Sequence, residues 1–286
     1  MTAPNAGRVL VILAAGRARR YGGLKPLAPV GPHGEAIVDL VASDALSSGF
    51  STVVLVIGTE TGLAIRDHVE REWPRAVDVR FAVQKTPTGT VGAVLSAWPE
   101  VEAVPSFGVA NADDLYGRGA LGILAAHLAS GDDNALVGFR LDHAVIGDSA
   151  VTRGVCSTDA SGFLVGIEER RGVVRCEDGT FGTGDGRQPE VLGPDARVSM
   201  NLWAFSSRLR EEFGSAMAGT DEAEVLLPEL VGRLIADRRA GHRFLVLATE
   251  SRCVGVTHPD DLKLVQDDVA AQVERGERPA AAWSGV

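Results

Sequence analysis

Five apolar residues, Val9 to Leu13, lead without a break into Ala14-Ala15-Gly16 and then into a cluster of cations. The run has the length and β-branched content of a fully buried parallel strand. The small residues after it let the backbone approach a ligand closely. Arg17, Arg19, Arg20 and Lys25 follow around the flexible pair Gly22-Gly23. Such a loop suits a phosphate, cradled by backbone N–H groups and neutralised by guanidinium and ammonium groups. Open α/β sheets bind ligands at this place, beyond the carboxyl ends of their strands. For these residues alone, a solvated basic turn is the alternative.

The chain then alternates. A helical stretch from Ile37 ends at Gly49, and Val53 to Gly58 reads as a second buried strand. A polar helix from Leu63 to Trp73, stopped by Pro74, precedes a third strand, Val79 to Val83. Strand Phe107 to Ala110, helix Leu121 to Ser130 and strand Ala135 to Leu141 continue the pattern. The expectation is an α/β fold, a mostly parallel Rossmann-like sheet flanked by helices. The dinucleotide-binding variety is set aside, because the G-x-G-x-x-G turn and the acid ending the second strand are missing. From Thr152 to Gly193 the chain is rich in Gly, Arg, Thr and β-formers, which predicts a smaller antiparallel β part that binds substrate. Residues 1–286 are read as one domain: a nucleotide half (1–141), a substrate half (142–258), and a C-terminal helix with a frayed tail (259–286).

Charge narrows the partners. A formal net charge of -10 argues against nucleic acid, and against that background the basic cluster at Arg17 to Lys25 points to a small anion. Three dispersed cysteines, Cys156, Cys176 and Cys253, read as reduced thiols of a cytoplasmic protein. No apolar run reaches the length of a membrane span, and the first one is read as a core strand, not a signal peptide. The six histidines offer no metal cluster. Self-association is left open.

Two further stretches carry chemistry. Gln84 ends the third strand and is followed by a turn, Gly89, and Thr90 as candidate N-cap of a helix to Ala97. A primary amide beside a glycine backbone suits the edge of a base, though an ordinary polar turn fits these residues equally well. Asp113 and Asp114 follow the strand Phe107 to Ala110, in Asn111-Ala112-Asp113-Asp114-Leu115-Tyr116-Gly117. Adjacent carboxylates repel unless a cation offsets them, and Mg2+ shared with substrate phosphates is the natural one. The alternative is that Asp114 caps the helix starting near Gly119.

The order of these motifs resembles that of the nucleotidyltransferases that activate sugar 1-phosphates. Ala14-Ala15-Gly16, Arg20 and Lys25-Pro26-Leu27 fall on the family's opening. Gln84, Gly89, Thr90 and Ala93 fall on its Gln and Gly-Thr-x-x-Ala positions, and Asp113 on its metal-binding Asp. The resemblance implies that Arg20 and Lys25 hold the triphosphate and act in catalysis, beside the nucleotide-binding Ala14, Ala15 and Gly16. It implies that Gln84 and Gly89 read a uracil or thymine base, with Thr90 beside them, and that Asp113 holds Mg2+. Glu169 and Arg170 resemble the pair that binds sugar hydroxyls and the sugar phosphate, and Asn201 lies on what resembles the sugar-contacting strand. Two positions depart from the pattern: Ala18 replaces a glycine, and Gly255 stands where a second metal-binding Asp is usual. The implied activity is transfer of a nucleoside monophosphate from UTP or dTTP to a sugar 1-phosphate, with release of pyrophosphate. A glycosyltransferase of related fold, transfer to a non-sugar phosphate or phosphonate, and a non-catalytic nucleotide sensor are the other readings.

Overall fold

Val9–Ala14 (β1) is the strand around which the sheet is laid. Its even and odd positions point to opposite faces, so Leu10 and Ile12 enter one core while Val9 and Val11 enter another. Both faces are therefore covered, as parallel strands require. The structure is a computed structural model that describes residues 7–16, 23–131, 133–218, 224–256 and 261–284.

In chain order, β1 is followed by helix α1 (Ile37–Ser47), β2 (Thr52–Gly58), α2 (Gly62–Glu72), β3 (Asp78–Gln84), α3 (Gly89–Ser96) and α4 (Trp98–Val101). Next come β4 (Ser106–Asn111), β5 (Asp114–Leu115), α5 (Gly117–Ser130), β6 (Asn134–Arg140) and α6 (Leu141–Ala144). The antiparallel part contributes β7 (Val151–Thr158), β8 (Leu164–Arg175), β9 (Phe181–Gly182), β10 (Val191–Leu192) and β11 (Arg197–Ser206). Helices α7 (Arg210–Met217) and α8 (Leu227–Ala236), strands β12 (Phe244–Ala248) and β13 (Val254–Gly255), and helix α9 (Asp261–Glu274) complete the order.

Strands β3, β2, β1 and β4 lie side by side and parallel. The chain builds outward from β1 through β2 to β3, then returns to place β4 on the other side. That reversal creates a crevice beyond the carboxyl ends of β1 and β4. Strand β11 runs antiparallel to three neighbours: Trp203 to Ser206 pair with β4, Val198 and Ser199 pair with β7, and both stretches pair with β6. Where the two stretches part, the register against β6 shifts between Ser199 and Trp203. Asn201 sits in this bulge at φ +58°, a left-handed conformation that costs a non-glycine residue and is held only where its surroundings impose it.

The expected α/β architecture is present, with three local differences. The first turn of α3 begins at Gly89, and Thr90 does not cap it; its Oγ1 instead accepts from Leu227 N at 2.8 Å. Asp114 does not cap α5 either, because it lies in β5, paired to β13. The tail is packed, not frayed, through residue 284. Arg278 is buried against Asp44, the Ala282 N–H donates to Glu35 Oε1, and the Trp283 ring lies 5.0 Å from that of Trp73. Among the described residues no helix is long and apolar enough to cross a membrane.

Candidate active site

The crevice is assembled from strand ends. Ala14 closes β1 and is buried, with Ala15 and the exposed Gly16 just beyond it. After Gly23 the chain returns as a single turn, Lys25 to Leu27, with Pro26 preorganising its start. This turn carries Lys25 Nζ to 3.7 Å from Asp113 Oδ2, so the basic loop after β1 meets the acidic loop after β4. Arg20, with the rest of 17–22, lies outside the described residues.

Asp113 and Asp114 are both pushed above the usual carboxylate range by burial, and Asp113 further by the charge of Asp114. Lys25 opposes the shift at Asp113, and the Asn111 amide opposes it at Asp114, donating from Nδ2 to Oδ2 at 2.9 Å. Gly255 faces Asp114 across the β5–β13 pair. A Cβ at Gly255 would stand 2.0 Å from Asp114 Oδ1 and 2.8 Å from the Asp113 carbonyl oxygen. Residue 255 is thus bare because the Asp114 carboxylate fills its side-chain space. The same contact gives the departure noted above a physical reason.

Tyr116 fixes the acidic loop. Its hydroxyl accepts from Asn111 N at 2.8 Å and donates to the Met200 carbonyl at 3.0 Å. Burial raises the phenol well above its ordinary pKa, so it stays protonated and keeps donating. One side chain therefore ties the end of β4 to the bulge in β11 that carries Asn201. The Asn201 side chain in turn accepts from Trp203 Nε1 at 3.2 Å.

These elements enclose a cleft of about 260 Å³. Asp113, Asp114, Glu169 and Asn201 line it, as do Asn111 and Arg153. Arg170 does not. It is 1 % exposed and paired with Asp185, from Nε to Oδ2 at 2.8 Å and from Nη2 to Oδ1 at 3.1 Å. Nη2 also reaches Thr183 Oγ1 and the carbonyls of Arg187 and Pro189, at 2.8 to 2.9 Å. The guanidinium thus gathers the 183–189 loop instead of facing the space where an acceptor phosphate would sit.

Gln84 and Gly89 lie together at the end of β3. The buried Gln84 amide donates from Nε2 to Gly89 O at 3.0 Å and faces Thr88 Oγ1 at 3.5 Å, which leaves Oε1 as its acceptor. Gly89 has φ +81°, and a Cβ there would meet Val225 O at 2.5 Å. Residues 225 to 228 link this corner to the cleft. Val225 bonds through its backbone to Thr88 and Val91 and Leu227 to Thr90, while Leu226 and Pro228 line the cleft. Sequence reasoning missed this strap and missed Arg153, since neither carries a local motif.

A parallel sheet with a reversal beside its central strand, basic and acidic loops meeting there, and an acidic cleft define a nucleotide-handling α/β transferase. The sequence matches the MobA-like NTP transferase domain over residues 10–226, and the chain belongs to that family: it is a nucleotidyltransferase. Two crystal structures of HddC from Yersinia pseudotuberculosis share its fold. One, complexed with GMP-PN, has a TM-score of 0.59 at 17% identity, and the other 0.58 at 18%. Each alignment covers 91% of this chain and 99% of HddC. No protein of curated function matches the chain in sequence.

Proposed function

We propose that the chain transfers a nucleoside monophosphate from UTP or dTTP to a sugar 1-phosphate and releases pyrophosphate. The observation that carries this reading is the approach of Lys25 to Asp113, 3.7 Å apart, at the reversal point of the sheet. A phosphate oxygen of the acceptor forms a bond to the α-phosphorus of the triphosphate while the bond from that phosphorus to the pyrophosphate oxygen breaks. The attacking oxygen is already anionic near neutral pH, so no general base is required. Catalysis is then positioning and charge stabilisation. Lys25, with Arg20 and the backbone of Ala14, Ala15 and Gly16, holds the triphosphate and takes up charge growing on the leaving pyrophosphate. Glu169 and Asn201 face the acceptor's hydroxyl groups.

Mg2+ suits the donors present. Asp113 and Asp114 are adjacent carboxylates whose ionised forms are disfavoured by burial, and their oxygens are the hard ligands this cation takes. Among the described residues no group of three or more His, Cys, Asp or Glu converges. Mg2+ takes one or two carboxylates and completes its shell with water and substrate phosphates, and the adjacent pair would supply those carboxylates. When bound there, Mg2+ supplies charge neutralisation of the triphosphate oxygens.

The base assignment rests on Gln84, whose free Oε1 accepts from an imide N–H such as N3–H of uracil or thymine. A second reading takes GTP, since guanine presents N1–H to the same acceptor and the fold neighbour HddC was solved with the guanine nucleotide GMP-PN. The odd number of cysteines, each a free thiol, supports work in the cytoplasm. A pyrophosphate-release screen of the purified protein, crossing five triphosphates with a panel of sugar phosphates and phosphonates, tests the function. No release from any pair, beside tight triphosphate binding, would turn the reading to a nucleotide sensor.

A further inference from the structure

The cleft is lined by Asp113, Asp114, Glu169 and Asp261, and among its described lining residues Arg153 is the one cation. A phosphate dianion brought among four carboxylates needs a positive group facing it. The spacing on β7 and β8 places Arg153 directly opposite Arg170. Like charges in such a pair repel, and here their guanidiniums are drawn apart. Arg170 turns to Asp185 and spends its Nε and Nη2 donors on the 183–189 loop.

Arg153 is held differently. Nε and Nη2 donate to the carbonyl of Ala144, the last residue of α6, at 3.1 and 2.7 Å, and Nη1 donates to Thr152 O at 2.9 Å. These three bonds run to backbone carbonyls and fix the plane of the guanidinium, whose charge the Asp114 and Asp261 carboxylates face from the cleft. A guanidinium carries five N–H donors, so one remains on each terminal nitrogen. Two parallel donors on a fixed plane match two oxygens of a phosphate. Glu169, the acid predicted to bind sugar hydroxyls, lines the same cleft as Arg153. The cleft volume, about 260 Å³, lies just below the usual small-molecule range of roughly 300–1,000 Å³ and suits a small acceptor.

We propose that Arg153, in place of Arg170, receives the phosphate of the acceptor. The naming of that phosphate as the acceptor's rests on the nucleotidyltransferase function above; the binding of a phosphate dianion at Arg153 does not.

Calorimetric titration of the full chain with inorganic phosphate tests the proposal. Wild-type protein binds phosphate, and Arg153→Gln binds it at least about tenfold more weakly, the scale of a lost hydrogen-bonded charge. The variant remains folded by circular dichroism, with a melting temperature lowered by the lost bonds to Ala144, and its affinity for magnesium UTP is retained. In the transfer assay the acceptor KM rises and the triphosphate KM does not. Undiminished phosphate binding by folded Arg153→Gln, or no phosphate binding by wild type, overturns the proposal. If the variant does not fold, phenylglyoxal labelling of the wild-type protein with peptide mapping decides. Phosphate slows labelling of Arg153 if the assignment is right, and an unchanged rate sinks it. A pyrophosphate screen with no positive pair removes the enzymatic reading and leaves the phosphate result to stand or fall alone.

Discussion

Arg153 and Arg170 face each other across β7 and β8, yet only Arg153 lines the cleft. Arg170 is buried and paired to Asp185 at 2.8 Å, and the pairing holds the Asp185 carboxyl well below the usual range. Removing one partner of such a pair leaves the other buried without its counter-charge. We expect Arg170→Ala to expose the 183–189 segment to limited proteolysis and to lower the melting temperature. Arg170→Lys should recover only part of the loss, because an ammonium cannot span Asp185, Thr183 and two carbonyls at once. An Arg170→Ala protein that resists protease like wild type, with only the acceptor KM raised, would return Arg170 to the substrate site.

Lys25 and Asp113 test the meeting of the two loops. Lys25→Ala should retain the fold and lose turnover by at least about a hundredfold, the scale of one preorganised charge-stabilising group. Asp113→Asn should lose at least as much, together with its response to magnesium, while Asp114→Asn costs less. Near-normal turnover in a stably folded Lys25→Ala protein would remove this loop from catalysis. Equal and small losses in the two aspartate variants would remove the metal assignment.

Gly255 gives a steric test of the same acidic loop. A methyl group there would stand 2.0 Å from Asp114 Oδ1, and one neighbour must move. Overpacking of this kind costs about 1–3 kcal/mol. We expect Gly255→Ala to weaken Mn2+ binding, read by electron paramagnetic resonance, by roughly tenfold or more. Unaltered Mn2+ affinity would mean that the position of the Asp114 carboxylate is immaterial to the metal.

A pH test comes from the packing of α2 against α1. His68 on α2 bonds to both oxygens of the buried Asp39, at 2.8 and 3.0 Å, and Asp39 also accepts from Trp73 Nε1 at 2.7 Å. The hydrogen bond to Asp39 raises the His68 imidazole above 6.5, outweighing burial, with smaller contributions from Asp39 and Glu72 charge and opposition from Arg71. A raised folded-state value means that the stabilisation is complete below the unfolded pKa of about 6.5 and is lost as pH climbs through the folded one. The melting temperature should therefore fall as pH rises above about 6.5, and His68→Gln should flatten that fall. A variant with the wild-type pH profile would show that the pair contributes nothing.

What was readable in the sequence is what neighbouring residues decide. A buried strand, a small-residue turn and a lysine after Gly23 announce themselves locally, and so does an acidic pair at a strand end. The parallel sheet follows from the alternation of such segments. The separate fates of Arg153 and Arg170 do not, because they depend on the Ala144 carbonyl and on the loop carrying Asp185, at different distances along the chain. The packed tail was illegible for the same reason: the partner of Arg278 is Asp44, 234 residues away. Gly255 read as a missing acid until its strand partner Asp114 was seen to fill the space.

Base preference is the remaining test, and it turns on how Gln84 spends its amide. With Nε2 committed to Gly89 O at 3.0 Å, the residue meets a base through Oε1 alone. An acceptor there rewards an imide N–H, which uracil and thymine carry at N3 and guanine carries at N1. Adenine and cytosine place an unprotonated ring nitrogen at the corresponding edge, so two acceptors would face each other in a buried corner. A site built to hydrogen-bond a donor rejects the analogue lacking it by about four orders of magnitude or more at best. We expect kcat/KM to rank UTP and dTTP first, GTP below them, and ATP and CTP far behind. Gln84→Glu should depress all five, because a carboxylate cannot donate to Gly89 O and the corner loses its tie. A preference for GTP selects the guanine reading without disturbing the role of Gln84. A preference for ATP or CTP removes Gln84 from base recognition and leaves nucleotidyl transfer standing.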